Sequence, residues 1–337
     1  MRAAVNTDHA TLRRRLPALG WLRGALGGLA LCFVVATACA QAPAPPGCPP
    51  QAQAPTAEQL QAWRRDARDR GFLWRIARDG RVSYLYGTVH VARSQWALPG
   101  PRIAQALEAS DTLALELDML DADIQRRLAT GMAADPAERL PDALAARLSA
   151  QVRAACLPQE AMAQLAPVLQ VITLQTLAAR GDGLDPAYAI DGFLAAYARQ
   201  QGKSVRSLES PELQLALLRG EPQSALRELE SGLEQLESGK LRPMLLRIAR
   251  VWEQGREDEL ARYEEWCDCA GTEAERALLK RLLDERNPPL AARLDALHAA
   301  GLRVFAAVGA LHMVGPLGLP ALMAQRGYTV TRVELGR

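Results

Sequence analysis

The sequence has few of the residues and motifs from which catalytic sites are usually recognised. Of its 337 residues only four are histidine, and aromatic residues make up 5% of the chain. The His-Glu-x-x-His, Gly-x-Ser-x-Gly and phosphate-loop motifs do not occur, nor does a cysteine-based active-site signature. These absences exclude the enzyme classes that those motifs define, and they leave a core built mainly from alanine, leucine and valine.

No hydrophobic run has the length of a membrane span. The most apolar stretch, Gly24 to Ala38, has fifteen residues, whereas a spanning helix needs about 20. It follows a basic segment and ends in the small residues of a cleavage site, so we expect residues 1–38 to be a signal peptide. The protein would then be exported, to the periplasm or as a secreted protein. Because Cys39 follows directly, a membrane-anchored lipoprotein with its lipid on Cys39 is the alternative.

Without residues 1–38 the chain has no excess of positive charge. Residues 1–38 carry five of the 40 basic groups and one of the 38 acidic groups, which leaves 35 basic and 37 acidic residues and a net charge of −2. A basic footprint for nucleic acid is therefore absent. We expect no nucleic-acid partner, and membrane contact only through a lipid on Cys39. The sequence does not indicate an oligomeric state.

Four cysteines follow Cys39, at positions 48, 156, 267 and 269. Export permits disulfides, and four cysteines allow three pairings. Cys267 and Cys269 lack the spacing of a zinc ribbon and have no second pair, so the pattern favours disulfides over a metal site. We expect Cys156 to pair with Cys267 or with Cys269.

The chain divides into segments of different composition. Residues 39–57 are rich in proline and alanine, as in an extended tether. Residues 58–337 are expected to form a single α/β domain, with a helical insertion at about 121–300 where apolar residues recur at helical spacing. Near the end of that insertion, Thr272 starts a capping box, and Asn287 before a proline predicts the N-cap of a further helix.

Strand patterns occur on both sides of the helical insertion. Asp79-Gly80 between two apolar runs predicts a hairpin, and "DTLALELDM" at 111–119 predicts a strand. At the C-terminus, "LRVFAAVG", "PLGLPALMAQRG" and "YTVTRVEL" predict strand, helix and strand, with parallel pairing and a right-handed crossover. The fold class is therefore α/β, with a mixed or parallel central sheet and a large helical middle region.

The same four-residue pattern, Gly-x-x-His, follows two predicted strands. It occurs as Gly87 to His90 and as Gly309 to His312, while Glu116 lies near the end of a third strand. Ligands of α/β proteins bind beyond the carboxyl ends of strands, so these groups are expected to form one site. Two imidazoles and a carboxylate hold a divalent metal with positions left for water and substrate, and such a metal lowers the pKa of water towards about 7. Glycine permits close approach of the backbone, or a bulge.

Simpler interpretations remain open for each of these residues. A histidine at a strand end can be a hydrogen-bonded structural residue. Glu116 can be solvated on the polar face of a half-buried strand, where Asp118 competes with it for any role as a ligand. His298, on a predicted helix, is expected to have a surface or packing role.

These stretches resemble the TraB/GumN family, which includes the Tiki Wnt-cleaving proteases and the PrgY pheromone-shutdown proteins. The resemblance covers roughly residues 72–335, and four stretches carry it: "YLYGTVHVA…WALPGPRIAQALEASDTLALELDM", "AIDGFLAAYARQQGKSVRSLES" with Glu209 and Gln214 after it, Arg286-Asn287, and "GALHMVGPLGLPALMAQRGYTV". One departure is visible. Ala189 stands where the family's Gly-x-Asp has its glycine, so we assign Asp191 no role.

The resemblance implies metal-dependent peptide hydrolysis. It assigns His90, His312 and Glu116 to the metal or to catalysis, with Glu116 either a ligand or the general base. Arg286 would orient a carboxylate or stabilise an oxyanion, and Asn287 would hydrogen-bond the loop. Gly87 and Gly309 would shape the site.

The metal and the function class follow from the same resemblance. Manganese or cobalt is implied, and the ligand types do not exclude zinc. The expected function is an exported metal-dependent hydrolase, a peptidase acting on a peptide or protein substrate. The first alternative is a peptide-binding or sequestering protein without enzymatic activity. The second is a structural or polysaccharide-associated exported protein.

Overall fold

The computed structural model describes residues 47–135, 137–220 and 225–336, so the expected signal peptide and residues 39–46 of the tether, including Cys39, lie outside the described residues. Six strands form one sheet in the order β4-β3-β5-β2-β1-β6. They are β1 (Phe72–Arg78), β2 (Arg81–Thr88), β3 (Thr112–Leu115), β4 (Ser204–Ser207), β5 (Val304–Gly309) and β6 (Thr329–Arg332). Strands β4, β3, β5 and β2 are mutually parallel, and β1 is antiparallel to β2 and β6. The mixed sheet confirms the predicted α/β class.

Helices make up most of the chain between β3 and β5, as predicted. The helices are α1 (Ala57–Arg65), α2 (Pro101–Glu108), α3 (Ala122–Met132), α4 (Asp142–Ala154), α5 (Gln159–Met162), α6 (Pro167–Thr176), α7 (Ile190–Gln200), α8 (Pro211–Arg219), α9 (Ala225–Glu237), α10 (Leu241–Glu253), α11 (Glu257–Leu260), α12 (Tyr263–Trp266), α13 (Glu273–Leu282), α14 (Asn287–Ala299) and α15 (Leu319–Gln325). Strand β4 lies within this region and was not expected there. None of the helices in the described ranges has the length and hydropathy of a membrane span.

The predicted hairpin joins β1 to β2. Asp79 and Gly80 both have positive φ, at 53° and 73°, and they connect the paired residues Arg78 and Arg81. Two central residues with positive φ match the right-handed twist of the flanking strands, which is why Asp-Gly is favoured there. The hairpin prediction is confirmed.

Strand β5 occupies the middle of the parallel part of the sheet. All six of its residues are buried, as expected for a parallel strand with neighbours on both sides. Strands β3 and β2 flank it and run in the same direction, with Thr88 beside Gly309 and Leu115 beside Ala307. The carboxyl ends of three adjacent strands therefore meet at one edge of the sheet.

The predicted pairing of the last two strands is wrong. Strand β6 does not pair with β5; it pairs antiparallel with β1, with Trp74 opposite Arg332 and Ala77 opposite Thr329. Both positions beside β5 are taken by β2 and β3, so α15 leads the chain across to the free edge of β1. Because β1 runs opposite to β2, β6 still has the same direction as β5.

Helix α14 confirms one prediction about histidine. His298 is fully buried, with Nδ1 at 3.0 Å from Ser83 Oγ and Nε2 at 3.2 Å from the Arg78 carbonyl oxygen. The imidazole and the Tyr328 ring also pack edge to face. His298 thus joins α14 to the hairpin, which is a packing role.

The predicted disulfide is also wrong. Cys48 pairs with Cys156, and Cys267 pairs with Cys269. Asp268 between the latter two has a left-handed φ of 54°, which turns the chain back so that its neighbours are close enough to bond. The first disulfide attaches the described end of the tether to the residues that follow α4.

The two disulfides should differ in their effect on stability. Cys48→Ser with Cys156→Ser opens a loop of sequence separation 108, and the chain-entropy model then predicts a loss of about 4–5 kcal/mol in the free energy of unfolding. Cys267→Ser with Cys269→Ser opens a separation of 2 and should cost only about 1–2 kcal/mol. Denaturant unfolding under non-reducing conditions measures both values. Equal losses would show that loop length does not govern these bonds.

Candidate functional site

His90, His312 and Glu116 lie together at the carboxyl edge of the sheet. His90 is two residues beyond β2, and Glu116 directly follows β3. His312 is in the short 3₁₀ helix Ala310–Met313 that follows β5. Since these three strands are adjacent and parallel, the fold brings together the three residues that the sequence singled out.

Gly309 lies between the three side chains. A Cβ atom on Gly309 would be 3.2 Å from Glu116 Oε1, 3.3 Å from His90 Nε2 and 3.5 Å from His312 Cδ2. Its φ of −47° is ordinary, so the requirement for glycine comes from the space and not from the backbone conformation. The missing side chain therefore leaves a small space that two imidazoles and a carboxylate share.

Gly87 acts through packing. A Cβ there would be 3.2 Å from Ala310 Cα and 3.3 Å from both Met313 Cγ and Phe72 Cδ2. Its carbonyl oxygen accepts a hydrogen bond of 2.7 Å from Trp252 Nε1. The strand register is regular here, so Gly87 permits close approach of the 3₁₀ helix that carries His312, and it is not a bulge.

Glu116 is buried, not solvated. Its Oε1 accepts a hydrogen bond of 2.8 Å from the Gly309 amide and is 3.6 Å from His90 Nε2, while Oε2 accepts from Arg286 Nη2. Burial favours the neutral acid, but the interactions with His90 and with the Arg286 guanidinium hold the pKa of Glu116 well below its usual range. The side chain is therefore an anion.

Asp118, the competing carboxylate, takes no part in this site. It is also buried, but its carboxylate pairs with Arg199 and accepts a hydrogen bond from the Leu120 amide. Strand β3 ends before both acidic residues, so the simple alternation expected for "DTLALELDM" does not continue to them.

Arg286 holds two buried carboxylates, those of Glu116 and Glu209. Its Nε and Nη2 donate to Glu209 at 2.9 and 2.6 Å, Nη2 also donates to Glu116, and Nη1 donates to the Leu282 carbonyl. Burial lowers the pKa of Arg286, but the two carboxylates outweigh this and raise it. Four of its five N–H groups are thus engaged, which favours orientation of Glu116 over stabilisation of an oxyanion.

Glu209 and Gln214 complete this buried network. Glu209 follows β4, and its amide donates to the Glu116 carbonyl oxygen at 2.9 Å. Gln214 Nε2, from the first turn of α8, is 3.0 Å from Glu209 Oε2 and 3.5 Å from Glu116 Oε2. Both residues were noted as part of the resemblance to the family, but no role was predicted for either.

His90 is held by Asp191, a residue to which sequence reasoning gave no role. His90 Nδ1 is 2.8 Å from Asp191 Oδ2, and the Thr88 hydroxyl donates to Asp191 Oδ1 at 2.8 Å. Desolvation lowers the pKa of His90, but Asp191 and then Glu116 raise it well above its usual value. Ala189 has a φ of −49°, so alanine serves there as well as glycine would. The sequence feature that could have indicated a role for Asp191 is its position in the stretch that resembles the family.

His312 is held by Asn287. His312 is 3% exposed, and its Nδ1 is 2.6 Å from Asn287 Oδ1. Burial lowers the pKa of His312 to about 4, so the ring is neutral near pH 7. The prediction that Asn287 caps α14 is wrong: Arg286 is the N-cap residue, and Asn287 is the first helical residue with its side chain on His312.

The donor chemistry of the site suits a divalent metal. His90 Nε2 and Glu116 Oε1 are 3.6 Å apart, and two donors at about 2.1 Å from one tetrahedral ion are separated by about 3.4 Å. Within the described residues, no group of three or more His, Cys, Asp or Glu side chains is arranged as a metal site. The fit therefore rests on the donor types and on the space at Gly309.

The chain belongs to the TraB/PrgY/gumN family, whose family model matches residues 72–332. The match includes all six strands and every residue of the site described above. No curated protein and no solved structure matches the chain.

Proposed function

We propose that this protein is an exported metal-dependent hydrolase that cleaves peptide bonds. One observation carries the proposal: the side chains of His90, His312 and Glu116 meet at the space beside Gly309. A peptide substrate is proposed because the family includes peptide-cleaving proteases. The exposure of His90, whose side chain is 60% accessible, gives a substrate a route to the site from solvent.

The ion would be held by His90, His312 and Glu116. Manganese or cobalt is proposed from the family, and zinc is compatible with the same ligands. A bound divalent ion would polarise a carbonyl group and acidify water. The neutral His312 imidazole has a free lone pair at near-neutral pH, and the Glu116 carboxylate supplies the negative charge.

The remaining polar residues orient the three side chains. Arg286 fixes Glu116 Oε2, which leaves Oε1 facing the shared space. Glu116 Oε1 either binds the ion or accepts a proton from the attacking water as general base. Arg286 is itself fixed by Glu209, so the carboxylate keeps its orientation in both roles.

Export is proposed from the N-terminal segment and is supported by the cysteines. Both pairs of cysteines in the described residues are disulfide-bonded, and such bonds persist in oxidising compartments outside the cytosol. Intact-mass measurement of the protein from its native cells tests this proposal. Cleavage after Ala38 is expected, and a lipid on Cys39 would identify the membrane-anchored form.

Metal analysis of purified protein tests the proposed ligands. The wild-type protein should hold about one divalent ion per chain, and His90→Ala and His312→Ala should each lose it. His298→Ala is the matched control, because His298 lies at the other end of α14 from Asn287 and is buried against Ser83. The His298 variant should be less stable but should keep the ion. Unchanged metal content in both site variants would contradict the proposal.

Peptide cleavage is measured on the same proteins. The metal-loaded wild type should cleave members of a peptide library, and both site variants should be inactive. If the wild type binds metal and peptide but cleaves nothing with manganese, cobalt or zinc, the peptide-binding alternative is supported.

A further inference from the structure

The three described histidines differ in the partners of their ring nitrogens. His90 Nδ1 faces the Asp191 carboxylate, and His312 Nδ1 faces the Asn287 side-chain oxygen. A carboxylate oxygen and an amide oxygen only accept hydrogen bonds. Each of these two rings therefore donates from Nδ1. His90 Nε2 also faces an acceptor, Glu116 Oε1, but at 3.6 Å this contact is longer than a hydrogen bond, so the single hydrogen of the neutral ring belongs on Nδ1. Each neutral ring then has its lone pair on Nε2.

We propose that Asp191 and Asn287 are positioning residues that hold His90 and His312 in the same Nδ1–H tautomer, so that both rings, which border the space beside Gly309, have a lone pair on Nε2. Metal-binding histidines generally donate their second ring N–H to a carboxylate or carbonyl group in this way. The metal-binding part of the inference rests on the proposed function. The tautomers themselves require no metal.

The two positioning residues lie on rigid elements. Asp191 is in the first turn of α7 and Asn287 is the first residue of α14. The Thr88 hydroxyl donates to the second oxygen of Asp191, so this carboxylate is fixed at both oxygens. Asn287 is 2% exposed, so water does not compete for its contact with His312.

The charges of the two positioning residues differ. Asp191 places a carboxylate against the exposed ring of His90, and Asn287 places a neutral amide against the buried ring of His312. A carboxylate partner makes the imidazole a more basic ligand than an amide partner does. Loss of Asp191 should therefore weaken metal binding more than loss of Asn287.

His298 provides an internal reference with the opposite tautomer. Its Nε2 is 3.2 Å from the Arg78 carbonyl oxygen, which only accepts, so Nε2 carries the hydrogen. Its Nδ1 then accepts from the Ser83 hydroxyl, whose oxygen accepts in turn from the Val304 amide at 2.9 Å. One protein thus contains both predicted tautomers.

Nitrogen-15 NMR of histidine-labelled, metal-free protein tests the inference directly. The full sequence has four histidines, so few signals need to be assigned, and a pH titration identifies the neutral form of each ring. His90 and His312 should be Nδ1–H tautomers, and His298 should be the Nε2–H tautomer. An Nε2–H tautomer at His90 or His312 would overturn the inference. This result stands even if the wild type binds no ion, which would contradict only the proposed function.

Variants connect the tautomers to metal affinity. Asp191→Leu and Asn287→Leu remove the acceptors, and each should shift its own histidine away from the Nδ1–H form and weaken Mn²⁺ or Zn²⁺ binding by about 10- to 100-fold. Asn287→Asp retains an acceptor oxygen and should retain the tautomer. Thr88→Val preserves side-chain shape, frees one oxygen of Asp191 and should have a smaller effect than Asp191→Leu. Unchanged tautomers and affinities in all of the variants that remove a contact would refute the positioning roles.

Discussion

Glu116→Gln should nearly abolish peptide cleavage, and its effect on metal binding depends on whether Glu116 is a ligand or the general base. The substitution keeps the size of the side chain but removes the charge that balances Arg286 and faces His90. General-base and ligand roles both depend on that charge, and we expect a loss of activity of about 10²- to 10⁴-fold. The free energy of unfolding should fall by about 1–3 kcal/mol, because Arg286 then pairs with one buried carboxylate instead of two. Peptide cleavage, metal content and denaturant unfolding are measured on one preparation.

Asp118→Asn is the matched control for this prediction. Asp118 is also buried and also pairs with an arginine, Arg199, but it lies outside the site. We expect a comparable loss of stability with metal content and cleavage unchanged. Equal loss of metal in both variants would indicate a general effect of disturbing the region after β3, and it would contradict the specific role of Glu116.

Glu116→Gln also distinguishes the two roles left open for Glu116, ligand and general base. If Glu116 is a ligand, the Gln variant should have little metal at any concentration that saturates the wild type. If Glu116 is the general base, the variant should bind metal nearly normally and be inactive. Either result is compatible with the proposed hydrolase; an active variant with normal metal content is not.

Gly309→Ala should block the site while leaving the fold largely intact. The added methyl group would be 3.2–3.5 Å from Glu116, His90 and His312, which is the space assigned to the ion. Overpacking of this kind costs about 1–3 kcal/mol, which corresponds to a loss of about 5- to 160-fold in metal affinity when the cost falls on the bound state. The φ of −47° permits alanine, so backbone strain should not contribute. Isothermal titration with Mn²⁺ or Zn²⁺ measures the change.

Gly181→Ala is the control for Gly309→Ala. A Cβ at Gly181 would have no atom within 4 Å, so neither stability nor metal affinity should change. Gly87→Ala should differ from both Gly309→Ala and Gly181→Ala. Its Cβ would press on the Ala310 backbone, so its main effect should be a lower free energy of unfolding. If Gly309→Ala binds metal as tightly as the wild type, the space beside Gly309 is not the metal site.

Much of the fold could be predicted because local patterns determine it. Asp79-Gly80 specifies a hairpin turn through its positive φ angles, and the continuous apolar run of β5 specifies a buried strand. The local sequence of a strand does not determine which other strands it pairs with. Strand β6 has the predicted bounds within a few residues, but only the occupied edges of β5 determine that it pairs with β1. The disulfide prediction was wrong for the same reason, because the number of residues between two cysteines does not determine how far apart they lie in the folded protein.

The site was predictable where topology and residue type acted together. His90, His312 and Glu116 each follow a strand, and adjacent parallel strands bring their ends together. Glu209 could not be found in this way, because it follows β4, a four-residue strand of alternating exposure with no clear apolar pattern. Asn287 before proline has the sequence of a helix cap, and only the position of His312 shows that its side chain is used elsewhere.

Crystals of the protein grown with Mn²⁺ or Co²⁺, with anomalous data collected at the edge of that metal, test the central claim most directly. The account predicts one anomalous peak beside Gly309, at about 2.0–2.2 Å from His90 Nε2 and His312 Nε2 and in contact with Glu116 or with a water that Glu116 binds. An anomalous peak elsewhere in the molecule, or no peak in crystals that contain the ion at saturating concentration, would contradict it.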